Sequence, residues 1–363
     1  MMSRINAIAT AGSGPAGAES GQVGRGRSHG KAILLGEHAV VYGAPALAIP
    51  LPQLPVTATA TMVRGSGAGH DEINIAIAWP GSASALPLPL EYQRHLVSTF
   101  KRETGLTDRL RVEVLIECAV PRGRGLGSSA AYARASVLAL ADAAGHRLDA
   151  ERVFELVQAS ETLAHGRASG VDARATGAAA PIYFTSGTAW ELPIAIGGIG
   201  DPAGARGGDP ADRGDVWAFD AVFVVADSGV SGSTKEAVSL VRRRFERDRA
   251  MRESFVGGVS DLTRAALENL LRGRVGDFGA CMTENHRLLR DVGVSTDRID
   301  ALVRAALVAG ASGAKISGGG LGGCVIAVAD GLPRAGEVVR HLREAGADNT
   351  WTVPTGRFAP HAP

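Results

Sequence analysis

The spacing of apolar and polar residues changes several times along the chain, and the changes mark out its elements. HGKAILLGEHAVVYGAPALAIPL, from His29, holds two short apolar runs around Gly36 and Gly43. The segments VTATATMV and EINIAIAW that follow repeat every second residue, as strands with one buried face do. Together they predict a strand-rich N-terminal sheet. EYQRHLVSTFKRETG predicts a helix, RLRVEVLIECAVP a further strand, and Ser128 to Ala144 and Asp149 to Leu163 two helices with few breakers. The second half opens on FDAVFVVAD, a nearly unbroken apolar run of the kind found in strands covered on both faces. Amphipathic helices follow in STKEAVSLVRRRFERDR, SDLTRAALENLLRG, DFGACMTENHRLLRD and TDRIDALVRAALVAG; GCVIAVAD, EVVRHLREAG and NTWTVP then close the chain as strand, helix and strand. Both halves mix helices with strands, so the expected fold class is α+β. No repeat occurs at solenoid or propeller spacing.

Two stretches lack any such period. Residues 1–27, ending in SGPAGAESGQVGRGR, carry few large apolar side chains and are expected to be a flexible tail outside the fold. GGIGDPAGARGGDPADRGD, from Gly197 to Asp215, reads as a surface insertion or an interdomain linker. A chain of 363 residues is long enough for two cores. The expected division is an N-terminal domain over 28–215 and a C-terminal domain over 216–363.

Charge changes the picture little but narrows the partners. With 38 basic and 37 acidic residues, the chain has no broad field to attract nucleic acid or an anionic membrane, so any anion must be bound locally. Cys118, Cys281 and Cys324 are far apart and form no CxxC pair, as expected of reduced core cysteines. No apolar run approaches the roughly 20 residues that span a bilayer. A soluble, cytoplasmic protein is the expectation.

Candidate chemistry begins at PRGRGLGSSAAYA, from Pro121. A strand ends, three glycines alternate at Gly123, Gly125 and Gly127, and a helix starts near Ser128. Free backbone N–H groups and the positive end of a helix converge where side chains have been removed, which makes an anion seat. A hydroxyl of Ser128 or Ser129 can ligate Mg²⁺ or cap the helix; a plain glycine turn with a serine cap is the competing reading. Neither standard nucleotide motif applies: GRSHGKA has the wrong spacing for a P-loop, and GGGLGG at Gly318–Gly323 runs into a strand where a dinucleotide fingerprint opens a helix. Five glycines in six nevertheless indicate a second loop of close approach.

Four further segments hold polar groups at element ends: Lys31 with Glu37 and His38 in GKAILLGEH, Glu161 near a helix end where the dipole disfavours a carboxylate, Asp172 in HGRASGVD, and Asp227 with Ser233, Thr234 and Lys235 in DSGVSGSTK. Each has an ordinary reading as strand punctuation or a helix cap. A cation would compensate Glu161. No histidine has zinc-ligand spacing.

In this order, GKAILLGEHAVVYGAPALA, PRGRGLGSSAAYA with ETLAHGRASGVD, and KISGGGLGGC resemble the GHMP kinase superfamily and, within it, the mevalonate kinase family. The resemblance implies a two-domain fold, N-terminal ribosomal protein S5 domain 2-like and C-terminal ferredoxin-like, with the site between them. It implies ATP-dependent phosphorylation of the C5 hydroxyl of mevalonate, with ATP and Mg²⁺ as cofactors. Asp172 matches the catalytic base and Lys31 the lysine that supports the developing alkoxide. Pro121, Gly123, Arg124, Gly125, Leu126, Gly127, Ser128 and Ser129 match the loop around the ATP phosphates. Ser129 and Glu161 match the metal ligands, and Glu37, His38, Thr234, Gly318, Gly319 and Gly320 match positions on the substrate side. A homodimer is a further implication. Arg124, Ala168, Gly319 and Leu321 depart from the family pattern without removing a catalytic group; Arg124 either adds a phosphate contact or points to solvent. A kinase of the same superfamily acting on phosphomevalonate, a sugar or homoserine is the nearest alternative. A non-catalytic sensor is the other, and the retention of Lys31, Glu161 and Asp172 argues against it.

Overall fold

A computed structural model describes residues 21–65, 69–166, 168–196 and 219–357. The N-terminal part is built from β1 (Gln22–Leu35), β2 (Ala46–Gly65), β3 (Glu72–Ala78), β4 (Leu86–Pro87), α1 (Leu90–Thr104), β5 (Arg109–Cys118), α2 (Ser128–Ala144), α3 (Ala150–His165), the short α4 (Val171–Ala175), β6 (Ile182–Thr185), β7 (Thr188–Glu191) and β8 (Ile194–Ile196). Then come β9 (Val222–Asp227), α5 (Thr234–Arg247), α6 (Arg249–Leu271), α7 (Val275–Asp291), α8 (Asp297–Val308), β10 (Gly313–Ser317), β11 (Cys324–Ala329), α9 (Gly331–Glu344) and β12 (Asn349–Arg357).

The first sheet runs β4-β3-β5-β2-β6-β7 with β1 paired antiparallel to β2, and only β3 and β5 run parallel. The second runs β10-β11-β9-β12-β8 and is antiparallel throughout. FDAVFVVAD is a strand covered on both faces, as its composition predicts. Val222, Val224 and Ala226 of β9 join the core made with α5–α9, while Phe223 and Val225 join the core continuous with the N-terminal sheet. The two cores therefore share β9 as a common wall.

Several expectations need correction. The tail ends earlier than predicted: residues 1–20 lie outside the described residues, but 22–27 are the start of β1, paired with β2 from Gln22 opposite Met62. The strand alternates, but its buried positions are Gly24, Gly26 and Ser28, which a search for large apolar residues passes over. They are small because α2 lies against them through Ala135, Ala139 and Ala143. A Cβ on Gly26 would stand 2.0 Å from the Ala135 carbonyl oxygen, and one on Gly24 would stand 2.1 Å from the Ala143 nitrogen. The predicted division at 215 is also crossed, since β8 belongs to the second sheet through β12. The insertion predicted at 197–215 lies outside the described residues. AKIS, unassigned from the pattern, is part of β10, and α6 extends well before the segment predicted for it.

Gly26→Ala is expected to lower unfolding free energy by about 1–3 kcal/mol, because strand and helix backbone must separate to admit the methyl group. Denaturant titration of the variant against wild type measures it; an unchanged midpoint contradicts the packing described.

Candidate active site

Between the layers lies a cavity of about 610 Å³. Its floor is Lys31 on β1, 1% exposed, whose Nζ reaches Asp172 Oδ1 at 3.0 Å and donates to the Gly125 carbonyl at 3.1 Å. An ammonium removed from water needs such partners. Asp172 does not cap a helix: it sits in the first turn of α4, whose N-cap is Gly170. Neither serine caps α2, since Gly127 occupies the N-cap with φ 73° and makes no side-chain contact of that kind. Ser128 and Ser129 thus stand in the first turn of α2, where both line the cavity.

The two glycine loops meet. A Cβ on Gly125 would lie 2.9 Å from the Ser317 carbonyl oxygen, and one on Gly318 would lie 2.8 Å from Gly125 Cα, so the backbones touch where side chains would hold them apart. Of the residues singled out from the sequence, Lys31, Glu37, His38, Gly123, Gly125, Gly127, Ser128, Ser129, Glu161, Asp172, Thr234, Gly318 and Gly319 all line this one cavity. Pro121, Arg124, Leu126 and Gly320 do not line it. Leu126 is buried and its carbonyl accepts from the Lys31 N–H. Gly320 packs against Val294 and Gly232. Arg124 takes neither course expected of it. Its Nε bonds to Asp227 Oδ2 at 2.9 Å, Nη1 to Ser231 Oγ at 2.9 Å and Nη2 to the Gly229 carbonyl at 3.1 Å, so it ties the first loop to the second sheet. Ser233 caps α5, accepting from the Glu236 N–H.

Electrostatics single out two groups. Burial pushes the Glu161 carboxyl up to about 8, helped by the charge of Asp172 and opposed by a hydrogen bond from Ser129 and by Lys31. A carboxyl so placed has too little positive charge about it, since Lys31 only partly offsets the burial. A divalent cation on Glu161 and Ser129 would supply it, drawing its other ligands from phosphate and water. Burial lowers His38 to about 4, against the Gly319 carbonyl that meets its Nε2 at 2.8 Å. His38 also has φ 60° and ψ −41°, a strained backbone held by its surroundings.

Sequence reasoning missed Lys315, fully buried on β10 and ion-paired with Glu37. Burial pushes Glu37 up and Lys315 down, and each charge resists the shift in the other. It also missed Arg122, whose guanidinium lies 5.8 Å from the Trp79 ring centre at the apolar end of the cavity.

Models of the GHMP kinase N-terminal and C-terminal domains match residues 91–178 and 266–348. The mevalonate kinase of Pyrococcus horikoshii is 31% identical over 332 residues, covering 87% of this chain and 91% of its own. The chain belongs to the GHMP kinase family. Its architecture matches a solved L. major mevalonate kinase in complex with R-mevalonate, at TM-score 0.72 and 22% identity over 94% of this chain and 98% of that one. A Streptococcus pneumoniae phosphomevalonate kinase with phosphomevalonate and AMPPNP matches at 0.67 and 18% identity, over 90% and 99%. The α+β GHMP kinase fold is thus shared by kinases whose names carry different acceptors. The matched domains include the first glycine loop, Glu161, Asp172 and the second loop. Lys31, Glu37, His38 and Thr234 lie outside both matches and are joined to the site by the cavity itself.

His38 gives a pH signature. Its imidazole is held below the unfolded value near 6.5, so its stabilising contribution is complete above pH 6.5 and disappears as pH falls toward 4. Stability of wild type relative to His38→Gln should fall by roughly 3 kcal/mol between pH 7 and pH 4. Denaturant melts at both pH values measure it, and a pH-independent difference contradicts the buried neutral imidazole.

Proposed function

We propose that this GHMP kinase transfers the γ-phosphoryl group of ATP to the C5 hydroxyl of mevalonate, forming 5-phosphomevalonate and ADP in the mevalonate pathway of isoprenoid biosynthesis. The observation that carries the reading is the Lys31–Asp172 pair, 3.0 Å apart in a cavity lined by two touching glycine loops. The resemblance of 87% of the chain to a mevalonate kinase supports the choice of acceptor.

Phosphoryl transfer asks little covalent chemistry of a protein: it needs an in-line nucleophile and fixed charges around the phosphates. Here the acceptor hydroxyl sits against Asp172, which takes its proton, while Lys31 stabilises the oxygen as negative charge develops on it. Backbone N–H groups of Gly123–Ser128 and the start of α2 hold the triphosphate. Gly318 and Gly319 close on the transferring group from the other side. Glu161 and Ser129 would hold Mg²⁺, which would supply positive charge to the phosphate oxygens. Trp79, Tyr132 and Arg122 wall the apolar end, which suits a flat base. Glu37, His38 and Thr234 lie on the acceptor side. Among the described residues no helix is long and apolar enough to cross a membrane. The reading includes a cytoplasmic enzyme whose partners are ATP and mevalonate, and a homodimer.

Lys31→Met and Asp172→Asn should each reduce kcat by about 10²–10⁴-fold with an unchanged circular dichroism spectrum. ADP release with Mg²⁺ and ATP, run in parallel on mevalonate, phosphomevalonate, galactose and homoserine, tests the acceptor. Mevalonate should be preferred; preference for another alcohol refutes the substrate, and near-normal turnover by a folded variant refutes the roles.

A further inference from the structure

The first glycine loop carries two arginines, and they part company. Arg122 lines the cavity and Arg124 does not. Arg124 is turned instead to the segment 227–231, where its Nε, Nη1 and Nη2 donate to Asp227 Oδ2, Ser231 Oγ and the Gly229 carbonyl. None of these three acceptor residues lines the cavity. A planar guanidinium can grip one short segment at several points in this way, which a lysine cannot do.

The segment is a firm anchor. Asp227 ends β9, its side chain 2% exposed, and is paired with Cys324 of β11 on one side and Asn349 of β12 on the other. Its Oδ1 accepts from the Gly229 N–H at 2.9 Å, and the next residue, Ser228, donates its N–H to the Gly323 carbonyl at 3.0 Å. Gly323 in turn lies against the first loop, since a Cβ on it would stand 3.0 Å from the Arg124 carbonyl oxygen. The end of β9 and both glycine loops thus converge on Arg124.

The first loop needs such an anchor. Gly123, Gly125 and Gly127 adopt φ 69°, 74° and 73°, and glycines that can take this path can as readily leave it. The carbonyls of Gly123, Gly125 and Leu126 accept from the Gly232 N–H, Lys31 Nζ and the Lys31 N–H. The N–H groups of Gly123–Gly127 donate to no other described residue. Backbone donors left over beside a cavity suit an anion, and they bind it best when held in place before it arrives.

We propose that Arg124 is a positioning residue for the nucleotide phosphates: by fastening the first glycine loop to the end of β9, it holds the N–H groups of that loop in the arrangement that receives them. The role rests on the kinase reading above and adds to it a residue that does not touch the nucleotide. Released from Asp227, the loop keeps its glycines and its donors but must be ordered by the ligand. Binding of the phosphates then weakens, and binding of the base and ribose does not.

The test measures the affinities of wild type, Arg124→Met, Asp227→Asn and the double variant for ADP with Mg²⁺ and for adenosine by calorimetry, with melting temperatures alongside. Each single variant should weaken ADP about tenfold or more while adenosine stays within about twofold. The double variant should bind ADP no more weakly than the single ones, because all three lose the same fastening. Its melting temperature should exceed that of Arg124→Met, which leaves the buried Asp227 carboxylate unanswered. If a single variant does not fold, the double variant is compared with wild type in its place. Unchanged ADP affinity in a folded variant, equal weakening of ADP and adenosine, or ADP affinity that returns with stability would overturn the proposal. So would wild-type or tighter ADP binding by Asp227→Asn beside a weakened Arg124→Met, the result expected of an arginine that leaves Asp227 to grip the phosphates itself. Wild type separates this from the kinase reading: if it binds ADP no more tightly than adenosine, that reading fails and the proposal with it. If wild type and variants prefer ADP equally, the proposal alone fails.

Discussion

A lysine ammonium with almost no access to solvent governs the arrangement of this molecule. Lys31 lies in the second half of β1, and its charge is answered by Asp172 from α4 and by the Gly125 carbonyl from the first glycine loop. Three segments distant in sequence are thereby brought to one point, because an unanswered charge there would cost several kcal/mol. Gly127 completes the enclosure, since a Cβ on it would stand 2.9 Å from Lys31 Cε and Cγ. The group proposed to support the chemistry is thus also one that the loop and the helix both contact.

The second sheet is held to this centre by polar contacts and by the absence of side chains. Arg124 reaches Asp227, Ser317 bridges Ile33, and Gly125 meets Gly318 backbone to backbone. Leu321, where the family pattern has a more permissive residue, still adopts φ 59° and donates its N–H to Val294 at 2.7 Å. The loop keeps its path at some conformational cost, and Leu321 lies outside the cavity lining.

Local signals made much of this legible. Alternate glycines before a good helix, a carboxylate after small residues and a lysine opening an apolar strand are each written in a few consecutive residues, and all of them line one cavity. Signals of long range were not legible. The Gly24–Gly26 face of β1 is silent without α2, because small residues signify close packing only when the partner is known. Arg124 was legible as a departure from the family pattern, but its destination, Asp227, lies 103 residues away. Lys315 stands before a glycine loop that draws attention to itself, and its partner Glu37 is 278 residues distant. Strand β8 joins the second sheet from before the predicted division at 215, which no composition shift announces.

The central claim is that the two glycine loops enclose the triphosphate while Asp172 faces the reacting hydroxyl. A crystal structure with a non-hydrolysable ATP analogue, Mg²⁺ and mevalonate tests it most directly. The account predicts the triphosphate between Gly123–Ser128 and Gly318–Gly319, with the C5 oxygen within hydrogen-bond distance of an Asp172 carboxylate oxygen and in line with the γ-phosphorus. A triphosphate bound away from these loops, or a C5 oxygen turned away from Asp172, would contradict it.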